Sequence, residues 1–202
     1  MAGQFADLAT ALEAVNLYRK HVHVDIDIVE VVLTPPGKPS QLASALRAHG
    51  WVEADLQHTE SILRHLATQA TERFAVLSPF LDTGGTEHLL GLFNATLPNV
   101  NRVLVTRSQG GSLPSALQAV MPALTELGVA VHDYWLPRGW GYETFHAKVL
   151  LADAKMAYLG SANMTQASLS LSMELGTLLK GRSVNTLVSV VDAILAIAPR
   201  VN

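Results

Sequence analysis

The chain contains no cysteine among its 202 residues. This absence excludes disulfide bonds, a thiolate nucleophile and any zinc site with cysteine ligands. Charged residues are also scarce, at 15%, and the net charge of -3 at pH 7 gives no overall excess of positive charge. Because nucleic acids bind cationic surfaces, contact with one would have to depend on a locally basic surface.

Long hydrophobic runs are missing as well. The apolar stretch 187–198 carries Asp192 and is too short to span a bilayer. The N-terminal segment MAGQFADLATALEA lacks both a basic start and an uninterrupted apolar stretch. We therefore expect no stable membrane insertion, no export signal and a cytoplasmic location.

The second part of the chain alternates between strand and helix patterns. Strands are predicted over 73–81, 100–108 and 129–135, and crossover helices over 85–97 and 112–128. A hairpin of two strands, a further strand and a closing helix follow over 144–151, 155–160, 172–180 and 183–198. This order predicts an α/β fold with a mixed, mostly parallel sheet and helices on both faces.

The first seventy residues are expected to form an N-terminal extension of helices and a strand. Apolar spacing predicts a packing helix over 3–18, and β-branched residues predict a strand over 25–34. Two helical stretches between 39 and 70 meet at Gly50. A DNA-binding helix-turn-helix is the alternative there, but a pair of scaffold helices is the commoner arrangement.

The segment FHAKVLLADAKMAYLGSANMT, residues 145–165, concentrates polar side chains in an apolar frame. On a strand over 144–151, His146 and Lys148 share one face and Phe145 points to the other. The lysine suits a non-bridging phosphate oxygen, and the histidine suits nucleophilic attack or proton transfer. The alternative for His146 is a hydrogen-bonded core histidine.

The other polar residues of this segment have separate expected roles. Ser161 and Asn163 offer hydroxyl and amide donors to the same phosphate oxygens, or else cap the next helical turn. Asp153 lies at the turn between the two strands, and we expect it to make a structural hydrogen bond without contacting substrate.

The spacing is H-x-K, four residues, D, six residues and then G-S-x-N, with Gly160 as its glycine. This spacing resembles the HKD signature of the phospholipase D superfamily, and all six fixed residues are present. A chance match in a chain of this length is on the order of one in 10^5. The resemblance covers 71–202, which we take as the catalytic domain, and leaves 1–70 as the extension. The two together are expected to form one compact unit.

The resemblance implies a metal-independent phosphodiesterase that forms a phosphohistidine and needs two histidines. One motif supplies only His146, so the chain resembles the single-motif members, which work as homodimers with a shared site. Glu174 occupies the place of the acidic residue that holds the catalytic histidine in the family. No cofactor and no metal are expected.

Three further clusters have weaker signals. His21, His23 and Asp25 lie on one face of an extended segment, but two histidines without further ligands do not make a metal site. The segment 106–112, with Arg107, lies at the C-terminal end of a predicted strand, where ligands bind in open α/β sheets; a flexible loop is the alternative. The segment 134–146 places an arginine and several aromatics before the histidine, as at a nucleic-acid groove, or else as a hydrophobic rim or dimer contact: Arg138, Tyr134, Trp135, Trp140 and Tyr142.

A nuclease acting on DNA or RNA is the function these features favour. A phospholipase D or phosphatidyl transferase would use the same catalytic residues, although we would then expect a membrane-binding segment. A third class is a non-catalytic subunit of a larger complex that processes nucleic acid, such as an antiviral defence assembly.

Overall fold

The computed structural model describes residues 2–21, 27–50 and 57–202. Ten strands lie in these ranges: β1 (Ile28–Thr34), β2 (Gln57–His58), β3 (Arg73–Leu77), β4 (Asn101–Thr106), β5 (Val129–Asp133), β6 (Leu136–Pro137), β7 (Tyr142–Glu143), β8 (Lys148–Ala152), β9 (Met156–Gly160) and β10 (Glu174–Lys180). The helices are α1 (Ala2–His21), α2 (Gln41–Ala48), α3 (Thr59–Gln69), α4 (Thr83–Asn94), α5 (Ser115–Glu126), α6 (Gln166–Ser170) and α7 (Arg182–Ile197).

Eight of the strands form one mixed sheet in the order β2-β1-β10-β9-β8-β3-β4-β5, and β6 pairs with β7 in a separate hairpin. β3, β4 and β5 are parallel neighbours joined by α4 and α5, as the strand-helix alternation predicts. β8 and β10 run against the other six strands, so four of the seven neighbouring pairs are antiparallel. The predicted mixed sheet is confirmed, with most strands in one direction.

Helices cover both faces of this sheet because successive strand residues point to opposite sides. On one face, α3, α4 and α5 bury leucines against Phe74, Leu104 and Leu150. On the other face, α7 buries Val184 and Val191 against the alternate residues of the same strands. The predicted helices on both faces are therefore present.

The first seventy residues contribute to the same sheet and core. β1 pairs with β10 along its whole length, and α3 buries Leu63 and Leu66. The predicted helix over 3–18 is present as α1, but its described side chains, 7–18, are exposed. The expectation that this helix packs is therefore wrong for a single copy of the chain. Residues 23–25, which include the rejected metal cluster's His23 and Asp25, lie outside the described residues.

Among the described helices, none has the length and apolar character needed to cross a bilayer.

Candidate active site

The motif residues lie together at one end of the neighbouring strands β8, β9 and β10. In the β8–β9–β10 register, Lys148 lies opposite Gly160, and Gly160 lies opposite Gly176. Ser161 directly follows β9, and Glu174 begins β10. Because β8 begins where β9 ends, the two halves of the motif meet although Lys148 and Gly160 are twelve positions apart in sequence.

His146 lies just before β8, in irregular backbone, and not on a strand over 144–151 as the pattern predicts. The reason is that β3 and β9 already end opposite Val149 and Lys148, so earlier residues have no strand to pair with. The imidazole is exposed, and Lys148 Nζ lies 2.9 Å from its Nδ1. Lys148 Nζ is also 3.4 Å from Nε2, so the ammonium lies beside the ring edge that carries both nitrogens, and the exposed ring remains accessible to a reacting group.

Lys148 is 5% exposed and ends in a cluster of charged groups. Burial lowers the pKa of Lys148, the Glu174 carboxylate raises it, and the Arg107 guanidinium lowers it. The net effect is a lowered pKa, so the charge of this buried ammonium is incompletely compensated. An entering phosphate would supply the missing negative charge.

Ser161 and Glu174 form a linked pair beside this lysine. The Ser161 hydroxyl donates a hydrogen bond to Glu174 Oε2 and accepts one from the Leu175 N–H at 3.1 Å. The family resemblance places Glu174 on the histidine, whereas in this structure the carboxylate accepts from Ser161 and Lys148 contacts the ring.

Ser161 and Asn163 do not cap the following helix. The N-cap of α6 is Thr165, whose side chain accepts from the Ser168 N–H. Asn163 Oδ1 is buried and has no hydrogen-bond partner among the described residues. A buried acceptor without a partner is costly, so this oxygen is available to a hydrogen-bond donor.

Gly160 is required by the packing of Tyr158, whose side chain is fully buried on the same face. A Cβ at position 160 would lie 2.2 Å from the tyrosine Oη and 2.9 Å from Gly176 Cα. The glycine of the motif therefore leaves room for the tyrosine ring at the end of β9.

Asp153 lies at the opposite end of β8 from the catalytic cluster. Its carboxylate accepts hydrogen bonds from the N–H groups of Thr71, Glu72 and Arg73 at 2.8–3.2 Å, and from the Thr71 hydroxyl. Burial would raise the pKa of Asp153, but these hydrogen bonds outweigh it and lower the pKa well below its usual range. Asp153 joins the β8–β9 hairpin to the start of β3.

A row of aromatic rings and one cation leads from the β6–β7 hairpin to His146. The Arg107 guanidinium lies between Phe80 and Trp135, at 4.4 and 5.8 Å from the ring centroids. Phe80 meets the His146 ring edge to face at 5.6 Å, and Trp135 stacks on Tyr142 at 4.4 Å. The order Tyr142, Trp135, Arg107, Phe80 and His146 is continuous, and we call it the aromatic ridge.

Trp140 and Arg138 lie in the β6–β7 hairpin. The Trp140 side chain is 91% exposed. Arg138 is exposed and pairs with Glu143 at 2.5 Å. The hairpin therefore presents one free indole and a neutralised cation, so the basic character of this surface depends on Arg107.

The described ranges hold no group of three or more histidine, aspartate or glutamate side chains arranged to bind a metal ion.

A family model described as "Cardiolipin synthase, PLD-like domain" matches residues 63–194. The chain belongs to the phospholipase D superfamily. The match begins within α3, so it includes part of the predicted extension. Superfamily members are generally phosphodiesterases, which agrees with a histidine and a buried lysine at one sheet edge.

Solved structures show the same fold. Nuc from Salmonella typhimurium, a phospholipase D family member, aligns with a TM-score of 0.58 at 12% identity over 88% of this chain and 99% of its own. NucT from Helicobacter pylori aligns with a TM-score of 0.60 at 12% identity, over 87% of this chain and 100% of its own. Phosphatidylserine synthase from Haemophilus influenzae aligns at 0.53 and 10% over 87% of this chain, which spans 40% of that enzyme. A comparison with curated proteins found no match.

Phe80 is the site residue that the motif does not reveal. It contacts both His146 and Arg107, yet it lies 66 positions before the histidine in the sequence. The available signal was its place just after β3, because ligands bind beyond the carboxyl ends of parallel strands. The same rule had already indicated Arg107, which follows β4.

Proposed function

We propose that this phospholipase D superfamily member is a metal-independent nuclease that hydrolyses DNA or RNA at a site shared by two copies of the chain. The observation that carries the proposal is the exposed His146 ring held against the buried Lys148 ammonium, 2.9 Å from Nδ1. This pair places a nucleophile beside a cation that lacks a full counter-charge.

Hydrolysis at this site takes two steps. His146 Nε2 attacks phosphorus, and the bond to the leaving oxygen breaks while the partner subunit's His146 donates a proton to that oxygen. The second histidine, now neutral, accepts a proton from water, whose oxygen attacks phosphorus and releases the first histidine. The Lys148 ammonium and the Asn163 Nδ2–H group donate hydrogen bonds to the non-bridging oxygens throughout. Because one copy has a single motif, a two-fold axis supplies the second histidine.

The aromatic ridge favours nucleic acid as the substrate. Stacked rings with an interleaved arginine match the alternation of bases and phosphates along a single strand. Arg107 Nε is buried and has no hydrogen-bond partner in the described part of the chain, so the guanidinium keeps donor capacity for a phosphate.

A lipid substrate is the second candidate, because the matching family model is described by cardiolipin synthase. The same His146 and Lys148 would act on a phospholipid diester. A non-catalytic role within a larger complex, including an antiviral one, would instead leave the chain without turnover of either substrate.

One set of assays separates these functions. Purified protein is incubated in EDTA with single-stranded DNA, double-stranded DNA, RNA or phosphatidylglycerol vesicles. We expect cleavage of nucleic acid and no change in the lipid. Turnover of the vesicles alone would overturn the nuclease proposal in favour of the lipid enzyme, and turnover of nothing would favour the non-catalytic role.

The Trp140→Ala variant is expected to bind single-stranded DNA about tenfold more weakly, because base stacking on an aromatic ring contributes roughly 1–3 kcal/mol. Its thermal stability should not change, since the indole is exposed. Fluorescence anisotropy measures the binding. Leu97→Ala is the matched control, because Leu97 is exposed and precedes β4, at the opposite end of the strands from the catalytic residues. Equal affinities for the two variants would exclude the hairpin from the binding surface.

The Lys148→Arg variant is expected to move the alkaline limb of the pH profile of kcat/KM to higher pH. Protonated Lys148 binds phosphate, and its lowered pKa means that wild-type activity falls as pH rises through a value below about 10.4. Arginine stays protonated across this range. A small phosphodiester serves as substrate for the measurement. An alkaline limb at the same pH in both proteins would assign it to another group.

A further inference from the structure

A second pocket opens at the same end of the sheet as the catalytic residues, with a volume of about 290 Å³. It lies between the end of β1, the start of α3 and the end of α6. Hydroxyl-bearing side chains, one imidazole, one carboxylate and two apolar residues line it: Thr34, Pro35, His58, Thr59, Glu60, Ser61, Leu169 and Ser170. None of these residues takes part in the hydrolysis described above.

The sheet register places this pocket beside the catalytic cluster. Thr34, which ends β1, lies directly opposite Glu174 in the antiparallel β1–β10 pair. The Cβ atoms of directly opposite residues lie about 5 Å apart and on the same face. Lys148 is three strands from β1, which corresponds to about 14 Å across the sheet. A substrate that contacts both Lys148 and the pocket must therefore be longer than one diester.

The Ser170 hydroxyl donates to the Gln166 carbonyl, whereas the start of α3 and the Thr34 hydroxyl offer donors to the pocket without a side-chain acceptor. The N-cap of α3 is His58, whose side chain makes no capping hydrogen bond. The first N–H groups of this eleven-residue helix therefore point toward the pocket with the positive end of its dipole. Thr34 is only 7% exposed, and its Oγ1 has no hydrogen-bond partner among the residues described.

Because an unpaired buried hydroxyl is unfavourable, the Thr34 site is best explained by a ligand that accepts a hydrogen bond. Phosphate oxygens suit the helix N-terminus, and Ser61 and His58 at the exposed rim add further donors. An apolar ligand would leave these donors unsatisfied.

We propose that this pocket binds a second phosphate of the nucleic-acid strand whose scissile diester lies at His146. The inference rests on the nuclease function proposed above. It assigns the substrate a minimum length, because the outer phosphate adds binding energy that a single diester lacks.

Glu60 opposes this binding and supplies a test of sign. Glu60 lies on the first turn of α3 and is exposed. Its negative charge raises the pKa of His88 on α4, whereas the Arg64 charge lowers it. Replacing this negative charge with a neutral amide should strengthen the binding of an anion. If the pocket instead held a sugar hydroxyl or a base amine, losing the carboxylate would weaken binding.

The experiment compares KM for a short single-stranded DNA oligonucleotide with KM for bis(p-nitrophenyl) phosphate. The measured quantity is the KM for the oligonucleotide divided by the KM for bis(p-nitrophenyl) phosphate. Thr34→Val, which keeps the side-chain shape, is expected to raise this ratio about fivefold, the effect of losing one hydrogen bond. Glu60→Gln is expected to lower the ratio. Ser61→Ala, at an exposed position, repeats the first comparison without a change in the core, and Ser189→Ala on α7 is the matched control.

The outcomes distinguish the two proposals. If the wild-type protein cleaves neither substrate, the nuclease proposal fails, and the second phosphate site fails with it. If it cleaves both and the Thr34 and Ser61 variants leave the ratio unchanged, the second site alone is wrong. A higher ratio for Glu60→Gln would also overturn it, because an anion would not gain from that carboxylate.

Discussion

Replacing His146 with alanine is expected to reduce phosphodiester hydrolysis about a thousandfold or more. Without the imidazole there is no covalent intermediate, and residual rate comes only from binding the phosphate. The fold should be unaffected, because the His146 side chain is exposed and its contacts are with Lys148 and Phe80. Initial rates in EDTA measure the loss, and His65→Ala, an exposed histidine on α3, is the matched control.

Subunit mixing tests whether the site is shared. Equal amounts of wild-type and His146→Ala protein that exchange freely give about one quarter wild-type dimers and about one half mixed dimers. If each hydrolysis needs two histidines, one from each copy, activity falls to about a quarter of that of the wild type. A value of about half would show that each copy works alone and would exclude the two-histidine mechanism.

Retention of activity in the His146→Ala protein, with the His65→Ala control unchanged, would remove the central residue of the proposal. Contamination is excluded when the residual activity elutes together with the protein on a sizing column, and is shown when it elutes apart.

The second large effect is on stability, at Asp153. Asp153→Ala is expected to lower the free energy of unfolding by about 3 kcal/mol, because three partly buried backbone N–H groups lose a charged, buried acceptor. Position 153 also has a φ of 56°, which aspartate and asparagine tolerate better than alanine. Urea unfolding followed by circular dichroism measures the change.

Two further variants identify the cause. Asp192→Asn removes the partner of Arg73 in an ion pair at the surface. We expect it to lower the free energy of unfolding by less than about 1 kcal/mol. Asp153→Asn keeps the shape and loses the charge, so its cost should lie between the other two. If Asp153→Ala cost no more than Asp192→Asn, the link between the hairpin and β3 would not contribute to stability.

The effect of Asp153 should also depend on pH. Its pKa is lower in the folded state than the usual value near 3.9, so its charge stabilises the fold above about that pH. This stabilisation is lost as pH falls toward the folded-state pKa. The difference in unfolding free energy between wild type and Asp153→Asn should therefore shrink on acidification below about pH 4. A constant difference would point to packing instead of charge.

Several features could be predicted because they depend on neighbours in sequence. Alternating and helical periodicity located the strands and helices, and the HKD spacing placed Lys148 across a hairpin from Gly160. The prediction for Asp153, a structural hydrogen bond at the turn, needed only its place between two strands. The strand assignment at His146 failed because pairing depends on where β3 and β9 end, and those ends are not visible in the segment itself.

Residue types and spacing along the chain were enough to establish the family, the mixed sheet and the chemistry of an imidazole beside an ammonium. Folding in three dimensions decided which groups meet: Phe80 with His146, Glu174 with Ser161, and Thr34 with Glu174 across β1 and β10. The physical reason is that backbone periodicity is a local property. These contacts instead join segments up to 140 residues apart, through strand pairing and the burial of apolar faces.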